Sequence, residues 1–166
     1  ARDGAQSTYL YSRLSLDRST PLKVPFLEDP LSFDTALRAQ ITGSRLLGSE
    51  QFTTGGYAGL RGYHTSAFSG DYGYTGSFEL NSPAFNFFEG QINDAFRMGT
   101  FMDFGTVGII NPRDDESKFN SLLSTGLTVD YQVNNNFIVS LVYAKDLAAQ
   151  DEDDLQDVKF NITLSY

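Results

Sequence analysis

Period-two alternation over unusually long stretches is the feature that most restricts what this chain can become. In a strand, side chains two apart share a face. From Leu31 to Thr42, residues Leu31, Phe33, Thr35, Leu37, Ala39 and Ile41 fall on one side. Ser32, Asp34, Ala36, Arg38, Gln40 and Thr42 fall on the other. The pattern recurs at Ser7–Asp17, Tyr72–Leu80, Phe96–Val107, Phe119–Val133, Phe137–Ala144 and Val158–Tyr166, so seven strands are predicted. The polar set of Phe96–Val107 holds Arg97, Gly99, Asp103 and Gly105, with Phe101 in phase. Most of these strands run about 9 to 13 residues, bracketing the roughly 9–11 that a tilted transmembrane strand needs. Strands of water-soluble domains average about 5–6. One apolar and one polar face per long strand point to an all-β fold, an antiparallel transmembrane β-barrel with a polar lumen. The competing fold is a soluble β-sandwich binding module with one solvated face.

The breaks between strands carry turn chemistry. Pro21, Pro25 and Pro30 predict a turn region outside any sheet. Asn81-Ser82-Pro83 ends the third strand, and Asn111-Pro112 with Arg113–Glu116 reads as an exposed loop. Asn134-Asn135-Asn136 predicts a tight turn, because Asn tolerates left-handed backbone. Asp146–Asp157 reads as an acidic loop.

Composition narrows the function classes. A net charge of -9 over 166 residues argues against a nucleic-acid partner. The chain has no cysteine, so thiolate and disulfide chemistry are excluded. No stretch is long and apolar enough for a transmembrane helix.

One connection does not fit a simple meander. Ser49–Asp71 is glycine-rich, has no helical period and is too long for a turn; loops of that length are usually functional. Arg61 is the sole cation between Arg45 and Arg97. It follows the apolar run Tyr57-Ala58-Gly59-Leu60 and needs an acidic partner elsewhere.

Three features together, Ser49-Glu50-Gln51-Phe52, Leu60-Arg61-Gly62-Tyr63 and Phe101-Met102-Asp103-Phe104-Gly105, resemble the two-partner-secretion transporters of the Omp85 superfamily of outer-membrane barrels. In that family a (V/L)-R-G-(F/Y) loop folds back into the lumen and its arginine pairs with the aspartate of an F-x-D-x-G strand. The resemblance implies a lumenal loop tip of Gly59, Leu60, Arg61, Gly62 and Tyr63, paired with Asp103 between Phe101 and Gly105. Glu79, also on a polar face, is a competitor for Arg61. The implied barrel has roughly sixteen strands, of which these would be about the last seven, and residues 1–166 would be the C-terminal portion of the barrel domain. The N-terminal strands and the periplasmic POTRA domains would lie outside it. Implied partners are a secreted exoprotein of haemolysin or adhesin type, outer-membrane lipid and the barrel-assembly machinery of a Gram-negative cell. The alternative within the superfamily is a barrel-assembly insertase. The terminal run with Phe160, Ile162, Leu164 and Tyr166 resembles a C-terminal assembly signal.

Enzymatic readings are weaker. His64 lies near Ser66, Ser69 and Asp71, but a triad is recognised by geometry and all four share one loop without an evident oxyanion hole. Asp151, Glu152, Asp153 and Asp154 offer carboxylate oxygens to Ca²⁺ but lack the glycine and spacing of an EF-hand loop. No catalytic residue, cofactor or metal is expected.

Overall fold

The computed structural model describes residues 8–54, 59–63, 68–88, 92–113, 116–134, 136–148, 155–156 and 158–164. Strands β1 (Tyr11–Leu22) and β2 (Leu31–Thr42) precede three short strands inside the long loop: β3 (Phe52–Thr54), β4 (Gly62–Tyr63) and β5 (Phe68–Gly70). Then come β6 (Tyr72–Asn81), β7 (Asp94–Gly108), β8 (Phe119–Val133), β9 (Phe137–Asp146), β10 (Leu155–Gln156) and β11 (Val158–Leu164). Among the described residues, one seven-stranded sheet runs β1-β2-β6-β7-β8-β9-β11, and each long strand is antiparallel to the one before it. This is the up-and-down order of a transmembrane barrel wall.

The register carries each face unbroken from strand to strand. Leu16 lies opposite Leu37, Phe33 opposite Leu80, Leu80 opposite Thr100, Thr100 opposite Leu127 and Leu127 opposite Tyr143. On the other face Ser77 lies opposite Asp103, Asp103 opposite Ser124 and Ser124 opposite Asp146. Because cross-strand partners share a face, the apolar set forms one continuous surface and the polar set the other. Burial is inverted relative to a water-soluble domain. Leu14, Ile41, Met98, Met102 and Leu127 are exposed, while Gln40, Asp71, Asp103 and Ser124 are fully buried. Apolar side chains face the surroundings and polar ones face inward, which a lipid-facing wall requires and a sandwich does not. Strand β9 follows the same rule, with Val142 and Ala144 buried inward and Leu141 and Tyr143 outward.

The inner face is covered because the connection between β2 and β6 folds back over it. A small apolar core of Leu60, Tyr63 and Leu122, with Phe68 packed against it, joins the loop to β8. Inside the loop β3 and β5 pair as a short ribbon, with Phe52 opposite Gly70.

Three readings need correction. Pro21 does not lie in a turn: β1 continues to Leu22, with Pro21 opposite Ser32. Pro21 is the second-last residue of β1, beside the β1–β2 turn, where a missing N–H costs the ladder little. Strand β7 begins at Asp94, two residues before the predicted start, and Phe85 bridges to Phe96. The acidic connection is not wholly a loop: Leu155–Gln156 pairs with β4, Leu155 opposite Tyr63 and Gln156 opposite Gly62. The asparagine turn carries Asn134 at φ 50°, the left-handed backbone that Asn accepts.

Candidate functional site: a lumenal arginine clamp

The base of the long loop is fixed at the rim from which it enters. Asp71, fully buried, accepts hydrogen bonds from the backbone N–H of Leu46 (3.0 Å) and of Ile110 (2.8 Å). Gln40 Nε2 donates to the Asp71 carbonyl at 3.0 Å. Arg45, 6 % exposed, donates through Nη2 to both carboxylate oxygens of Glu116 at 2.9 Å, and through Nη1 to the Ile110 and Asn111 carbonyls. These contacts tie the entrance of the loop to the β7–β8 connection.

From that base the chain descends to the tip, residues 59–63, against the inner wall. Arg61 Nε donates to Asp103 Oδ2 at 2.9 Å and Nη2 to Asp103 Oδ1 at 2.8 Å, a bidentate pair. The Arg61 backbone N–H also donates to Asp103 Oδ2 at 3.0 Å, and its carbonyl accepts from Ser124 Oγ at 2.5 Å. Nη2 reaches Ser77 Oγ at 2.9 Å, and Ser77 Oγ donates to Asp103 Oδ1 at 2.6 Å. Nη1 engages Glu79. Glu79 is therefore not a competitor of Asp103: a planar guanidinium with five donors binds both carboxylates at once. Four of its N–H groups are engaged, by Asp103, Glu79 and Ser77. The guanidinium carbon also sits 3.5 Å from the centroid of the Phe101 ring, inside cation–π range.

Each position of the two motifs has a physical task in this arrangement. Phe101 lies flat beneath the arginine because Gly126, opposite it, leaves room: a Cβ there would come 2.7 Å from the Phe101 ring. Asp103 supplies the carboxylate. Gly105 leaves space for the loop, since a Cβ would stand 3.0 Å from Leu60 Cδ1, Thr75 Cγ2 and the Tyr74 carbonyl. Leu60 fills that space and is fully buried. Gly62 has φ +92°, a backbone that disfavours any side chain. Tyr63 is buried and its hydroxyl donates to the Leu123 carbonyl at 3.0 Å. Beside the clamp an open polar cleft is lined by Arg38, Thr75, Glu79, Thr128 and Asp130.

A model of the haemolysin secretion/activation protein ShlB/FhaC/HecB family matches residues 1–138. The chain belongs to this family. Among solved structures, CdiB from Acinetobacter baumannii aligns with a TM-score of 0.68 at 23 % identity, over 96 % of this chain and 28 % of that one. The chain thus spans little more than a quarter of that relative's length, and the likeness is one of fold. Comparison with curated protein sequences yields no match. In this ShlB/FhaC/HecB chain the two motifs meet on the inner face of the sheet through one arginine.

Among the described residues the other candidates form no site. His64, Ser66, Asp151, Glu152, Asp153, Asp154 and Tyr166 lie outside the described residues. Asp71 is occupied as the staple of the loop base. Phe160, Ile162 and Leu164 fall on β11, in register with β9. Among the described residues, no three His, Cys, Asp or Glu side chains converge as a metal site. Sequence reasoning missed Ser77 and Ser124. The register was the available signal, since both lie directly opposite Asp103.

Proposed function

We propose that this chain is part of the outer-membrane pore of a two-partner secretion system, exporting one large exoprotein of haemolysin or adhesin type across the outer membrane of a Gram-negative cell. The observation that carries the reading is the loop tip held against the inner face of the sheet by Arg61; in the closed barrel proposed here it occupies the conduit. An extended polypeptide and the tip compete for that space, so the clamp sets which conformation the pore rests in. Breaking a buried pair by removing one partner costs about 3–5 kcal/mol, enough to shift a resting state. The edges β1 and β11 pair with further strands of the same barrel, because unpaired backbone groups in lipid cost several kcal/mol each. Strand β11, with Phe160, Ile162 and Leu164, and Tyr166 beyond it are the segment offered to the barrel-assembly machinery. No catalytic residue takes part.

The test is deletion of the full-length gene, followed by parallel analysis of culture medium and outer membranes. The expected outcome is loss of one large secreted protein from the medium with other outer-membrane barrels at normal abundance. A general fall in those barrels, with no single secreted protein missing, would replace this reading with a barrel-assembly insertase.

A further inference from the structure

By the family resemblance the long loop enters from the extracellular side, so the connection between β6 and β7 lies on the periplasmic side, and its described residues fold back on the wall. Asp94 is in phase with Phe96, Met98 and Met102, so it belongs to the outward, lipid-facing set of β7, yet it is 1 % exposed. A carboxylate on that wall is tolerated only if it is hydrogen-bonded. Its oxygens accept from the backbone N–H of Phe87 (2.9 Å) and Phe88 (3.2 Å) and from the Tyr131 hydroxyl (3.4 Å). Its own carbonyl accepts from Asn86 Nδ2 at 2.6 Å. The turn is thereby drawn outward over the wall rather than across the lumen. The Phe87 ring packs on Phe96 at 5.3 Å and on Tyr131 at 6.2 Å, both outward-facing residues. The folded turn still presents apolar side chains: Phe85, Phe87, Phe88 and Ile92 are all exposed, Phe87 at 62 %.

We propose that this turn is a membrane-interface foot, which seats Phe85, Phe87, Phe88 and Ile92 in the headgroup–acyl boundary of the periplasmic phospholipid leaflet. The inference rests on the barrel reading of the sheet. The patch is continuous with the lipid-facing wall through Phe96 and Tyr131, so lipid reaches it without a second binding event. Aromatic side chains are favoured at that depth, where an apolar ring meets a hydrated layer. Asp94 is a positioning residue: its carboxylate holds the turn against the wall and stays out of contact with water.

The test uses the full-length transporter, free of other cysteines, in vesicles of phosphatidylethanolamine and phosphatidylglycerol. A nitroxide is attached in turn to Phe88→Cys, to Met98→Cys on the lipid-facing wall and to Glu28→Cys in the exposed β1–β2 turn. Collision rates with oxygen and with a neutral water-soluble nickel chelate give depth. The expected result is a label at 88 that prefers oxygen, at a depth between those of 98 and 28. Adding Asp94→Asn is expected to move the label at 88 several-fold toward the nickel-accessible value while 98 stays unchanged. A label at 88 that matches 28 overturns the proposal, as does one shielded from both reagents, which would mean a protein partner covers the turn. If the label at 98 is itself aqueous, the barrel reading fails instead.

Discussion

Arg61 is held by more than an ion pair, and this changes what a charge-swap experiment should give. Arg61→Asp or Asp103→Arg alone leaves a buried charge without its partner, at a cost of about 3–5 kcal/mol. The double swap restores opposite charges at 61 and 103, but it places the new aspartate beside Glu79, which now binds Arg61. Like charges in contact repel, so the double swap is expected to recover only a minor part of the lost stability. Adding Glu79→Gln removes the repulsion and is expected to recover clearly more. Thermal loss of the folded band on semi-native gels measures both. A triple variant no better than the double would mean that Glu79 contributes little. At this scale the sequence is informative about identity and silent about reach. The two motifs single out Arg61 and Asp103. Nothing in their spacing says that one guanidinium spans Asp103 and Glu79 together, or that Ser77 and Ser124 hold its side chain and carbonyl. Those contacts depend on the register of strands distant in sequence.

The long loop is an element with two attachments, a rim clasp and a lumenal tip. The clasp joins Arg45 to Glu116 across the loop base and the β7–β8 connection. Glu116→Gln removes the charge from a paired carboxylate, which is worth about 1.5–3 kcal/mol for a hydrogen bond to a charged group. Amides of residues 43–48 are then expected to exchange with solvent roughly ten- to hundredfold faster, while the centre of β7 stays protected. Equal acceleration in both regions would mean that the clasp supports the whole sheet rather than the loop. Element boundaries show where a local pattern yields information and where it does not. Long alternating runs place β2 and β8 to the residue, because one polar slip would put the wrong face in lipid. Pro21 misleads, since the cost of its missing N–H depends on how near the end of β1 it falls. The two residues of β10 carry no period at all. They become a strand only because β4 is there to pair with them.

At the scale of the molecule, the two faces of the wall obey opposite rules. Met102 points outward near the middle of β7, whereas Ala36 of β2 faces the polar cleft beside the clamp. Met102→Lys is expected to cost roughly 2–4 kcal/mol, the penalty for a lysine at the bilayer midplane. Ala36→Lys is expected to cost less than half of that, because its ammonium stays hydrated. Unfolding of the full-length protein from bilayers measures the difference, and equal costs would contradict the assignment of faces. The seven strands of the main sheet and the orientation of both faces are legible in the alternation. The inward fold of the loop is not, because glycine-rich sequence leaves the path of the backbone open until its contacts fix it. The tip of that loop has a further property. Its partners Glu79, Asp103, Ser124 and Leu155–Gln156 all follow it in the chain. A polypeptide made from its N-terminus therefore presents the arginine before any seat for it exists. Docking waits on the strands that carry those partners, as far as β10, and a seated tip records that they have arrived.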